Sequence, residues 1–297
     1  MLAKISNHKD FGFKRITIDT SDGDFIDLDY FLVDSRSTQI AVLIHGLEGS
    51  SKDAYMINTA KTLASKSINS VLVNLRSCSG RLNKHLATYH SGKTEDLRDI
   101  LASIDNYFSE VYLVGFSIGG NIVLKYLGED FRQVDPRIKK AIAICPPVNL
   151  KSSAEALSRP NTKIYMNNFL SNLRRKIRRK QKMFPGLIND NNYFQLKNFF
   201  DYDNRYTAPL NGFVDAHDYW QQASSDQYLE NIKVKTVILS ALDDPFLGPE
   251  CFPEIQNSHI QCVYTPHGGH LGFMAFDNKQ LKLRFLYQDL ILSFFLD

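Results

Sequence analysis

The 297-residue chain is long enough for one large domain or two small ones, and with 43 % hydrophobic and 23 % charged residues it falls outside the disordered, collagen-like and disulfide-scaffold classes. A balance of 35 Lys and Arg against 32 Asp and Glu leaves +3, too near neutral to point to nucleic acid. The excess sits in one run, where Arg174, Arg175, Lys176, Arg178, Arg179, Lys180 and Lys182 leave 28 basic against 32 acidic side chains elsewhere.

Residues 15–19 and 25–33 read as strands joined by Ser21-Asp22-Gly23-Asp24, a composition that suits a hairpin. Short apolar bursts at 40–44, 70–75, 111–114, 141–144, 236–239 and 260–264 have the length of buried strands, giving eight in all. Helical patterns over 54–66, 94–107 and 118–127 alternate with them, and a last helix is predicted over 279–295, with Leu281, Phe285, Leu286, Ile291 and Leu292 as its apolar stripe. Such alternation builds a mostly parallel sheet with helices on both faces. It breaks between about 149 and 230, a stretch too long for a connection and without a clear strand. The predicted organisation is therefore a core over 1–148 and 231–297, interrupted by a helical cap insertion over 149–230.

Cys78, Cys145, Cys251 and Cys262 are scattered, with no C-x-x-C pair, and read as reduced thiols. The opening MLAKISNHKD has no apolar core of a signal peptide, and no window reaches a membrane span, so a cytoplasmic location is expected.

Gly115-Phe116-Ser117-Ile118-Gly119 places G-x-S-x-G between a strand and a helix, where a tight turn lifts the serine hydroxyl clear of the sheet. A serine needs a base and a carboxylate to become a nucleophile. Asp243 and Asp244 follow the strand at 236–239, and His267 and His270 follow the next, so all lie on loops that converge on one rim of a parallel sheet. His270 is preferred because it precedes Leu271-Gly272-Phe273 on the way to the last helix. An oxyanion hole is expected from the N–H groups of Ile118 and of Leu47, in the His45-Gly46-Leu47 loop after the third strand. His45 itself reads as structural. No metal site is predicted: the histidines are three apart on a glycine-bearing loop, and H-E-x-x-H is absent. Nucleotide-binding glycine motifs are absent as well.

Taken together, His45-Gly46-Leu47-Glu48-Gly49, Asn74-Leu75-Arg76-Ser77-Cys78-Ser79-Gly80, Tyr89-His90-Ser91-Gly92, Gly115-Phe116-Ser117-Ile118-Gly119-Gly120-Asn121, Asp243-Asp244-Pro245-Phe246 and His267-Gly268-Gly269-His270 resemble the YheT-like branch of the α/β-hydrolases. Thr207-Ala208-Pro209-Leu210-Asn211-Gly212-Phe213 and Tyr219-Trp220 extend the likeness into the insertion. The resemblance implies an α/β-hydrolase fold with an eight-stranded sheet and a helical cap. It also implies a serine hydrolase of carboxylic esters, lipid esters included, working without a cofactor through Ser117, Asp244 and His270. Asp244, followed by Pro245 and Phe246-Leu247, resembles the acid loop of these enzymes, with Asp243 as runner-up. Two positions depart from the pattern: Ser77 stands where glycine is expected, and Asn211 where histidine is common.

The expected partner is a small-molecule or lipid ester rather than nucleic acid. The basic run reads first as a solvated helix face and second as a weak contact with an anionic surface. Competing readings are a catalytically silent binding module, an acyltransferase using the same triad, and a surface-docking protein. Cys78 reads as a buried or hydrogen-bonding thiol, the 89–92 loop as bracing, and the aromatics from Phe199 to Trp220 as a small core of the cap.

Overall fold

The computed structural model describes residues 12–277 and 282–297. Its main sheet has eight strands: β1 (Lys14–Asp19), β2 (Phe25–Phe31), β3 (Gln39–Ile44), β4 (Asn69–Asn74), β5 (Glu110–Phe116), β6 (Ile138–Ile144), β7 (Lys235–Ala241) and β8 (Ile260–Thr265). They lie in the order β1-β2-β4-β3-β5-β6-β7-β8, with β2 antiparallel to both neighbours and every other pairing parallel. Strand order reverses around β3, so the chain leaves β3 and β5, its hydrogen-bonded neighbour, in opposite directions. A crevice opens at their carboxyl ends.

Helices α1 (Ala54–Ala64) and α9 (Leu286–Leu296) form one layer, and α2 (Thr94–Ser103) and α3 (Ile118–Glu129) the other. Side chains alternate across a strand, and β5 shows the division. Tyr112 stacks on Phe295, and Phe116 packs edge-on to Tyr287 and at a tilt to Tyr55, partners that all lie in the α1/α9 layer, while Gly115 faces Gly119 and Gly120 of α3.

Between β6 and β7 the described chain is helical: α4 (Leu150–Leu157), α5 (Lys163–Met183), α6 (Phe199–Tyr202), a π turn (Asp203–Thr207), α7 (Ala208–Leu210) and α8 (Ala216–Ala223). Two small apolar clusters hold it, one around Leu170, Tyr193 and Tyr206, the other around Ala208, Tyr219 and Trp220. No helix among the described residues is long and apolar enough to cross a membrane.

Two expectations need correction. The last helix begins only at Leu286; before it, β9 (Met274–Asp277) and β10 (Lys282–Phe285) pair antiparallel, and residues 279–281 lie outside the described ones. An apolar spacing of four fits both a helix turn and two steps of a strand, so the stripe could not separate them. The basic run is not simply a solvated face. Leu173, Lys176, Ile177 and Lys180 fall at i, i+3, i+4 and i+7 on the buried side of α5, and both lysines are buried with the leucine and isoleucine. Arg175, Arg178, Arg179 and Lys182 point to solvent, and Arg174 is half-buried, with Arg174 and Arg178 paired to Asp190.

Candidate active site

Ser117 is the residue between β5 and α3, at φ 53° and ψ −122°, a conformation that costs an ordinary side chain about 1–3 kcal/mol. Its neighbours make the turn possible. A Cβ on Gly115 would lie 2.4 Å from the Gly119 carbonyl oxygen, and one on Gly119 2.4 Å from that of Ile44. Both glycines of the motif are thus required by close backbone approach. Ser117 N–H donates to Ile144 O (2.8 Å), tying the elbow to the end of β6.

The loop after β3 lies against this elbow, close enough that a Cβ on Gly46 would sit 3.7 Å from Ser117 Oγ. His45 is buried and sets the loop: its Nε2 accepts Leu75 N–H (3.1 Å), so Nδ1 carries the hydrogen that it donates to Gly46 O (2.7 Å). Burial pushes its pKa down to about 4, which keeps the ring neutral. Gly46 N–H donates to the Tyr55 hydroxyl (3.0 Å) and Glu48 N–H to that of Tyr89 (2.8 Å). Leu47 N–H, between them, has no protein acceptor among the described residues, and neither has Ile118 N–H at the first position of α3.

The two aspartates separate cleanly. Asp244 is buried, accepts Phe246 N–H (2.9 Å), and its Oδ2 lies 2.8 Å from His270 Nδ1. The His270 ring rests on Phe246, with centroids 4.4 Å apart. Asp243 is exposed; it accepts the N–H groups of Gly268 and Gly269 (2.9 and 2.8 Å), and those bonds together with His267 hold its carboxyl below the usual range. Asp243 and His267 therefore brace the loop that presents His270.

Ser117, His270, Leu47 and Ile118 line one cavity of about 840 Å³, counted to its open mouth. Much of its wall is apolar, from Leu150, Leu157, Phe169, Leu173, Phe199 and Phe246. Two polar features of this wall were not read from the sequence. Glu48 meets Lys176 of α5 (2.5 Å) and the Tyr89 hydroxyl (2.8 Å), so a charge from the basic run is spent inside the protein. The helical face shared by Lys176 with Leu173 and Ile177 was the available signal. Lys180, further along, donates to the carbonyls of Asn83 and His85. Asp203 is the second feature, buried beside Thr207 and Trp220. The Cys78 thiol, 3.4 Å from Lys176 Nζ, is pushed up to about 12 by burial, which suits a packed thiol rather than a nucleophile.

One cluster of metal-type donors occurs among the described residues: Cys145, Asp244 and His270, with atoms within 4.8 Å of one another. Burial holds the Cys145 thiol protonated, and the hydrogen bond between Asp244 and His270 Nδ1 occupies the atoms a cation would need.

The family model described as the alpha/beta hydrolase fold matches residues 42–277. YheT of Escherichia coli (strain K12) is 30 % identical over 267 residues, covering 87 % of this chain and 78 % of its own. The chain belongs to the α/β-hydrolases, in the YheT-like family. Phospholipase ABHD3 of Bos taurus is 27 % identical over 277 residues, covering 88 % of this α/β-hydrolase and 66 % of the relative. Among solved structures, the Pyrococcus furiosus esterase PF2001 superposes with a TM-score of 0.61 at 15 % identity, over 91 % of this chain and 88 % of that one, a likeness of fold.

Proposed function

We propose that this α/β-hydrolase cleaves carboxylic esters, lipid esters among them, with Ser117 as nucleophile, His270 as base and Asp244 as the acid that orients it. The observation that carries the reading is that Ser117, strained onto an elbow, and His270, bonded through Nδ1 to buried Asp244, face one cavity. A carboxylate only accepts, so the Asp244 bond puts the hydrogen on Nδ1 and leaves Nε2 free to take the serine proton. Attack on the carbonyl places negative charge on its oxygen, and the uncommitted N–H groups of Leu47 and Ile118 are the donors that receive it. His270 then protonates the departing alcohol, and water repeats the sequence on the acyl-enzyme. The apolar wall suits an acyl chain, and the name of the phospholipase relative supports lipid esters.

The test is Ser117→Ala, which is expected to lower turnover of p-nitrophenyl butanoate by roughly 10⁴. A fluorophosphonate should label the wild type at Ser117 and leave the variant unlabelled. Near wild-type turnover in the variant removes Ser117 from the mechanism, and an unlabelled wild type favours a silent binding module.

A further inference from the structure

Asp203 is the carboxylate of the cavity that no cation answers. It is 8 % exposed, opens the π turn, and accepts the Thr207 hydroxyl (2.6 Å) and the Trp220 indole N–H (2.9 Å). Glu48 has Lys176 and Asp244 has His270, whereas among the described residues no Lys, Arg or His pairs with Asp203. An ionised carboxylate accepts about four hydrogen bonds, so about two sites are unused. Burial pushes its pKa up to about 6, the mark of a charge the fold leaves under-compensated. Around it the cavity wall is aromatic, with Phe199, Tyr202, Tyr219 and Trp220. Aromatic side chains and a dry carboxylate together favour a cation over a neutral donor. The π turn itself is a local irregularity of the kind found at functional sites.

We propose that Asp203 is a specificity subsite for a protonated amine on the alcohol side of the ester, held by the unused carboxylate acceptors and the surrounding rings. The inference rests on the ester-hydrolase reading for its placement: the acyl chain takes the apolar wall of Leu150, Leu157 and Leu173, and the charged end of the substrate takes Asp203.

Trp220 is the single tryptophan of the chain and donates to this carboxylate, so its emission reports on the subsite. Wild-type protein is titrated at about pH 7.5 with 3-(dimethylamino)propan-1-ol, with its neutral carbon isostere 4-methylpentan-1-ol, and with the neutral donor 4-methylpentane-1,4-diol. The amine is expected to give a saturable change at least about tenfold tighter than either neutral compound. Asp203→Asn, which keeps an acceptor for Trp220, should lose about tenfold or more in amine affinity. Equal binding of the isostere or the diol to the wild type, or undiminished amine binding in the variant, overturns the subsite. The butanoate esters of the amine and the isostere carry the same comparison into turnover. The wild-type kcat/KM ratio should favour the amine ester by about tenfold and fall toward one in Asp203→Asn. An unchanged ratio overturns the subsite. If the amine binds as expected but neither ester is hydrolysed, the ester-hydrolase reading fails and the subsite stands.

Discussion

At Gly115 and Gly119, on either side of Ser117, the geometry leaves no room for a methyl group. Gly119→Ala would drive its Cβ into the Ile44 carbonyl, a backbone atom fixed in the sheet, and is expected to cost about 3 kcal/mol, read as a lower urea midpoint. The aspartate pair gives a sharper contrast. Asp244→Asn should lower turnover by about 10⁴, because an amide facing His270 Nδ1 favours the wrong tautomer, while Asp243→Asn, on the exposed bracing bonds, should stay within about tenfold. Ser77 illustrates how a departure from the family pattern is accommodated. It adopts φ 65°, the left-handed region that glycine favours, and its hydroxyl bonds to Asn83, both giving and receiving a hydrogen bond. Asp203 adds a pH dependence with a definite sign. Its folded pKa, about 6, lies above the unfolded value, so the folded state holds the proton more tightly and stability falls as pH rises from about 4 to 6. Relative to Asp203→Asn, the wild type should lose about 2 kcal/mol between pH 4 and pH 7 in urea unfolding.

At the level of elements, α5 ties the helical insertion to the loop that bears Leu47. Lys176→Met leaves Glu48 as a largely buried carboxylate facing only the Tyr89 hydroxyl, and is expected to cost about 2–4 kcal/mol in urea unfolding, with partial recovery when Glu48→Gln is added. This pair also marks where sequence reading stops. The eight main strands, α1 and α3 were legible because each is a local run bounded by turn residues, and the elbow because its motif needs a strand before it and a helix after it. Lys176 and Glu48 are 128 residues apart, and a count of charges places both in solvent; only the packing of α5 brings them together. Likewise β9 and β10 are four residues each, shorter than the window in which period two and period 3.6 diverge. Asp244 is buried and Asp243 exposed, a tertiary difference that neighbours in sequence do not display.

Across the whole molecule, burial governs the thiols. All four cysteines are free, and burial raises each above the ordinary thiol range, Cys251 to about 11 and Cys78 to about 12. Ellman's reagent at about pH 8 should therefore modify less than roughly one thiol in minutes on the native protein, and all four once it is denatured. Asn121, one turn beyond the elbow, connects distant parts of the same whole. Its side chain gives both N–H bonds to carbonyls, of Ser91 and Ala223, and takes the Ser225 N–H. A ribosome making this chain from its amino end has finished the elbow long before residues 223–225 exist. The clasp around Asn121 can close only after a further hundred residues emerge, and the acid and the histidine follow later still. On the proposed triad, a half-made polypeptide is chemically harmless toward the acyl compounds around it, and reactivity arrives as one of the last events of its birth.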